Sequence, residues 1–133
     1  MSGAAGSPPR LALEWVAGRY AICRLAPEAP FPAWASGRFV TMSRTPEELS
    51  VISAWEEVPA GVRREGPYRL LRIAGTLVLT LTGIFTSLAD PLAAAGVSIF
   101  AVSTFDTDYL LIREPDGERA AAALIAAGHR FVG

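Results

Sequence analysis

The chain has 133 residues, 51% of them apolar, with 12 basic and 13 acidic residues and a formal charge of −1. That is enough apolar surface for one compact domain or two small lobes, and too much for a disordered chain. The balanced charge, with no basic stripe, argues against a nucleic-acid partner, and Cys23 and His129, each the only residue of its kind, exclude a disulfide framework, a cysteine metal cluster and a paired-histidine zinc site within one chain.

Residues 1–10 read as a flexible tail. "MSGAAGSPPR" has no apolar h-region and so no secretory character, which makes a cytoplasmic protein the expectation. "LEWVAGRYAICRL" (13–25) is rich in β-formers, and "APEAPFPAWASG" (26–37), with three prolines, reads as an irregular loop. "RFVTMSR" (38–44) alternates as a strand does. In "TPEE" Thr45 can cap a single helical turn, with Pro46 at its first position and Glu48 completing a capping box, before a strand in "SVISAW" (50–55). Residues 58–67 read as a connector.

The second half alternates more clearly. "YRLLRIAG" (68–75) and "TLVLTLT" (76–82) are strand-like. "GIFTSLADPLAAAG" (83–96) puts Ile84, Leu88, Leu92 and Ala95 on one helical face, with Pro91 expected to kink or split the helix and Gly96 to end it. Strands at 97–104 and 108–114, a helix at 115–128 and a closing strand at 129–132 follow. From residue 76 the order is β-α-β-β-α-β, the ferredoxin-like arrangement of an α+β fold. The run 77–103 is broken by Asp90 and Pro91 and makes no membrane span of about 20 apolar residues.

The two halves also align. Leu-x-x-x-Ala-Gly recurs at 13–18 and 70–75, and "FVTMSRTPEELSVISAWE" lies on "IFAVSTFDTDYLLIREPD" without a gap, Ser43 on Ser103, Thr45 on Phe105 and Glu48 on Asp108. The helix of the second half is replaced in the first by the Pro-rich loop. Two βαβ-type lobes are expected, the first degenerate.

"TGIFTSLADPLAAAGVSIFAVSTFDTDYLLI" (82–112), with "YAICRL", "TPEELSVI" and "AGH", resembles the small bacterial two-lobed ACT-domain proteins, similar to the regulatory region of aspartate kinases and to CASTOR-type arginine sensors. The resemblance covers about residues 11–133. It implies tandem βαββαβ ACT lobes, an N-terminal one at 11–66 and a C-terminal one at 67–133. It also implies side-by-side pairing through the sheets, hence a homodimer, and an amino-acid ligand at the lobe interface. The missing first-lobe helix departs from the family pattern.

Two segments are the candidate ligand site. At Gly83, Ile84 and Phe85 the first helix begins; its bare amides and dipole suit an α-carboxylate, and Gly83 permits close approach, although it also eases a tight turn. The hexad Ser103, Thr104, Phe105, Asp106, Thr107, Asp108 offers carboxylates and hydroxyls for an ammonium or guanidinium and a phenyl ring for an aliphatic body. Asp, Ser and Thr are equally good turn formers. By resemblance to the arginine sensors, the hexad takes the amine end of arginine or another basic amino acid. No nucleophile with base and orienter, and no phosphate loop, can be assembled, so the chain reads as non-enzymatic, without cofactor or metal. The competing reading is a structural dimerisation or adaptor module with no small-molecule ligand, and neither reading involves a membrane.

Overall fold

The computed structural model describes residues 9–74 and 83–133. Two compact units are present: residues 16–70, and residues 71–133 together with the N-terminal residues through Trp15. Two long strands, β1 (Ala12–Leu25) and β4 (Arg63–Ile73), contribute residues to both units.

In the 16–70 unit, β2 (Thr41–Arg44) and β3 (Leu49–Ala54) complete the order β2-β3-β1-β4. β3 is antiparallel to β1, from Tyr20 opposite Ala54 to Leu25 opposite Leu49, and antiparallel to β2, from Thr41 opposite Ile52 to Arg44 opposite Leu49. Alternation sends Ala21 and Cys23 of β1 and Leu49 and Val51 of β3 into one core, joined by Val58. Among the described residues this unit has no α-helix. The Pro-rich loop does the covering instead, packing Ala29, Trp34 and Ala35 on that core.

Polar anchors hold the loop. Arg44 donates to the carbonyls of Pro27 and Ala29 and stacks on Phe31, its guanidinium carbon 4.8 Å from the ring centre. The buried Ser53 hydroxyl donates to the Ser36 carbonyl and accepts the Ser36 amide. The strand read at 38–44 keeps its end at Arg44 but starts late: pairing begins only at Thr41, because Ser36 has already taken the Ala54 amide at 2.8 Å.

The connector expected at 58–67 is shorter than that. β4 starts at Arg63 and carries Gly66 and Pro67 within it. Gly66 has φ 132°, and a Cβ there would stand 2.9 Å from the Tyr20 carbonyl oxygen and 3.1 Å from the Trp55 ring. Only a residue with no side chain lets the strand pass so close to its neighbour.

In the other unit, α1 (Ile84–Ala94), β5 (Ile99–Ser103), β6 (Asp108–Arg113), α2 (Gly117–Ala126) and β7 (Arg130–Phe131) follow in the expected order. The strand read at 76–82 lies outside the described residues. β6 lies between β4 and β5, which pairs with it antiparallel from Ile99 opposite Ile112 to Ser103 opposite Asp108, and β7 pairs parallel with the start of β1, Ala12 opposite Arg130 and Leu13 opposite Phe131. The helical periodicity is realised: Ile84, Leu88 and Leu92 of α1 and Ala120 and Leu124 of α2 are buried against Leu13, Leu71, Ile73, Leu110 and Ile112. Arg119 of α2 donates to the carbonyls of Ala95 and Gly96, closing the C-terminal end of α1 with a cation.

Pro91 does not split α1, which runs unbroken through it. A proline has no N–H for the carbonyl four residues earlier, here Ser87. His129 Nε2 lies 2.8 Å from that oxygen, and His129 Nδ1 accepts the Leu11 amide at 3.0 Å. Because Leu11 can only donate, Nδ1 is the acceptor and Nε2 carries the hydrogen.

Candidate functional site

The hexad forms the hairpin between β5 and β6, and its polar groups chiefly serve the turn. Thr104 donates its amide to the Thr107 carbonyl at 2.8 Å, and its hydroxyl bonds the same carbonyl at 3.1 Å. The Thr107 amide returns to the Thr104 hydroxyl at 3.4 Å. Below the turn, Ser103 Oγ donates to Asp108 Oδ1 at 2.6 Å across a directly opposed pair. The buried Thr107 hydroxyl donates to the Ile73 carbonyl at 3.0 Å, pinning the tip to the end of β4.

The first half builds the same device. Thr45 donates its amide to the Glu48 carbonyl at 2.9 Å, and its hydroxyl accepts the Glu47 and Glu48 amides at 3.1 Å each. A single 3-10 turn follows the second strand in each case, at Trp55–Glu57 and at Glu114–Asp116. The residue before each turn has nearly the same dihedrals, −53° and 132° at Ala54, −53° and 136° at Arg113. The structural repeat therefore places Thr45 on Thr104 and Leu49 on Asp108. The gapless alignment by letters, with Thr45 on Phe105, is one residue out of step. It followed the apolar letters, whereas the turn hydroxyl sets the register.

That comparison sorts the hexad. Thr104 and Thr107 hold the turn, and Ser103 orients Asp108. Phe105, 87% exposed, and Asp106, also exposed, extend from the tip, and among the described residues Asp106 has no polar partner. Asp108 is half-buried, with Oδ1 engaged.

Among the described residues, no partner is seen for the first amides of α1. Gly83 is the N-cap of α1 in the left-handed region, φ 84° and ψ −4°, with no side-chain cap. Its carbonyl accepts the Ser87 amide at 2.9 Å, and the nearest atom to a Cβ placed there is Pro9 Cδ, at 4.0 Å. Ile84 turns into the core, whereas Phe85 is 48% exposed. The backbone at Ile84–Thr86 thus presents amides that no carbonyl of the helix can reach. Among the described residues, no group of three His, Cys, Asp or Glu side chains is placed to hold a metal ion.

A family model of the ACT domain matches residues 63–126. Residues 63–126 belong to the ACT-domain family. A second model, of an N-terminal domain, matches residues 18–61, so the two matches abut where β4 begins. The crystal structure of Atu0741 from Agobacterium tumefaciens is similar at 40% identity over 93% of each chain, with a TM-score of 0.87. VC0802 from Vibrio cholerae, described as a possible transport protein, is similar at 22% identity over 89% of this chain and 90% of its own, with a TM-score of 0.74. The ligand-free regulatory subunit of aspartate kinase from Thermus thermophilus shares the fold at 12% identity over 86% of this chain and 96% of its own, with a TM-score of 0.61. No curated protein matches the sequence. The ACT fold accounts for the β4-α1-β5-β6-α2-β7 order, and no described helix is long and apolar enough to cross a membrane.

Sequence reasoning missed His129 as a structural residue. The signal was present: a proline inside a helical pattern leaves one carbonyl without a donor, and the only histidine of the chain lies in the same half. It also left Glu14 without a role. Arg72 Nη1 lies 2.6 Å from Glu14 Oε1, a cross-strand pair that no local pattern announces.

Proposed function

We propose that this ACT protein is a non-catalytic regulatory module that binds an amino acid through its C-terminal unit. The ligand α-carboxylate takes the amides at Ile84–Thr86. Asp106 and the remaining oxygen of Asp108 take its ammonium or a basic side chain, arginine being the first choice, and Phe105 covers the aliphatic part. The observation that carries this reading is the open start of α1: an exposed left-handed glycine, no side-chain cap and no acidic residue in the first turn. The kinase regulatory subunit of the same fold supports a regulatory role.

The experiment is a thermal-shift and calorimetric series over the twenty amino acids. A specific ligand at 100 times its dissociation constant adds about 2.7 kcal/mol of stability. Gly83→Asp, which offers the same amides an internal carboxylate, should abolish the response. Absence of any shift at millimolar concentration would refute the reading.

A second reading, a pairing module without ligand, is favoured by β5. Among the described residues this strand ends the strand order and pairs only with β6; it carries no charged or proline residue and exposes Phe100 at 42%. Such an edge invites a second copy to form a homodimer in the cytoplasm. Sedimentation without ligand separates the readings: a Phe100→Lys change that dissolves a dimer while no amino acid shifts the melting temperature supports pairing alone.

A further inference from the structure

The C-terminal unit holds a groove that the reading above does not use. It measures about 290 Å³ and is lined by Glu14, Trp15, Phe131, Val132 and Gly133. Its geometry comes from the parallel pairing of β7 with the start of β1, continued by the Val132 amide donating to the Leu13 carbonyl at 2.8 Å. That register sets Trp15 and Phe131 side by side, their rings stacked with centroids 5.8 Å apart and planes inclined by 27°. Both rings pack partly on the helix-covered core. Strand alternation places Glu14 on the opposite face from Trp15, so the groove wraps around the end of β7.

Glu14 is an oriented carboxylate. Arg72 holds Oε1 at 2.6 Å, and Tyr109 also bonds Arg72, which fixes the guanidinium from a second strand. The other oxygen, Oε2, is directed toward Gly133: a Cβ on that glycine would stand 3.9 Å from it. The groove thus offers Glu14 Oε2 beside the stacked indole and phenyl rings. A carboxylate favours a cation, and an aromatic pair favours an apolar body. The volume lies at the lower end for ligand pockets, about 300 Å³, so the body must be small.

We propose that this groove binds a protonated primary amine with a short aromatic or apolar body, the ammonium on Glu14 Oε2 and the body on the Trp15–Phe131 pair. The site is separate from the α1 start and the hexad, and the inference stands or falls independently of the amino-acid reading.

The test is a titration of the full chain with 2-phenylethylammonium, followed by ¹H–¹⁵N correlation spectra, with 2-phenylethanol and 3-phenylpropionate as neutral and anionic counterparts. The expected result is saturable shifts at Val132, Gly133 and the Trp15 indole, with a preference for the amine over both counterparts. Glu14→Gln should weaken the amine at least about fivefold and erase its advantage over the alcohol. Phe131→Leu, which keeps an apolar residue on β7, should weaken amine and alcohol alike. Equal binding of all three probes, unchanged affinity in Glu14→Gln with a native-like spectrum, or shifts confined to residues 83–86 and 103–108 would each overturn the proposal.

Discussion

His129 Nε2 stands 2.8 Å from the carbonyl oxygen of Ser87, the one carbonyl of α1 that Pro91 deprives of a helical partner. A helix defect is thus repaired by a side chain that arrives from 42 residues further along. Replacing His129 by Ala leaves this buried carbonyl and the partly buried Leu11 amide unpaired, and each unsatisfied group costs about 1–3 kcal/mol. Urea denaturation should show a loss of about 2–6 kcal/mol on that basis. Adding Pro91→Ala restores an N–H to Ser87 and should recover about 1 kcal/mol, measured as the coupling in a double-mutant cycle.

Thr107 tests whether the hairpin tip is held from beneath. Thr107→Val keeps the shape and removes the hydroxyl that meets the Ile73 carbonyl at 3.0 Å. Stability should fall by about 1–3 kcal/mol. Asp106→Ala, whose carboxylate is exposed, should change stability by less than about 0.5 kcal/mol. If Asp106→Ala nevertheless abolishes a thermal response to an amino acid, its role belongs to the ligand and not to the turn.

Gly66 is the position where β4 tolerates no side chain. Gly66→Ala drives a methyl to within 2.9 Å of the Tyr20 carbonyl oxygen, in a backbone region that L-residues rarely adopt. A cost of about 1–3 kcal/mol is expected from the strain alone. The control is Gly61→Ala, which also has positive φ, 89°, but meets nothing within 4 Å, and should cost less. Equal losses would show that backbone conformation, not close approach, decides the residue.

The alkaline limb of stability should reflect Tyr20 and Cys23. Burial pushes both the Tyr20 hydroxyl and the Cys23 thiol above their ordinary values of 10.0 and 9.0, with Arg38 and Arg64 respectively pulling the other way. Their neutral forms are favoured in the fold, so the contribution is fully present below the ordinary values and lost as pH rises through the folded ones. Urea midpoints should hold to about pH 9 and decline above it. Tyr20→Phe should flatten the upper part of that decline.

At the acid end the sign reverses. Glu56 is lowered, first by the hydrogen bond from Arg19 and then by its own backbone, so its contribution is present above its ordinary value of 4.5 and lost as pH falls through the lowered one. The pair is exposed, with side chains 41% and 56% accessible, so solvent screens it. Glu56→Gln should therefore move an acid titration of stability only slightly, and 0.5 M salt should remove the difference.

The ACT order of the C-terminal unit was legible because its signals are local. Ile84, Leu88 and Leu92 recur at helical spacing, and Gly96 and Gly128 stand just past the helices. The repeat was legible in outline but misregistered, since matching letters weighs Phe and Ile above a threonine hydroxyl. The strand at Arg63–Pro67 was hidden by its Gly-Pro pair, which signals a turn unless the neighbouring Tyr20 carbonyl and Trp55 ring are known. Long-range partners such as Glu14 with Arg72 and His129 with Ser87 leave no periodic trace, so only the folded chain reveals them.

The parallel pairing of Ala12 and Leu13 with Arg130 and Phe131 has a consequence for synthesis. As the polypeptide leaves the ribosome, the first of these segments must wait for more than a hundred residues before its partner is made, and closing so long a loop is slow. Residues 16–70 find their strand neighbours among themselves and can organise while the rest is still being translated. Synthesis of Arg130 and Phe131, rather than any earlier event, completes the unit that carries the helices.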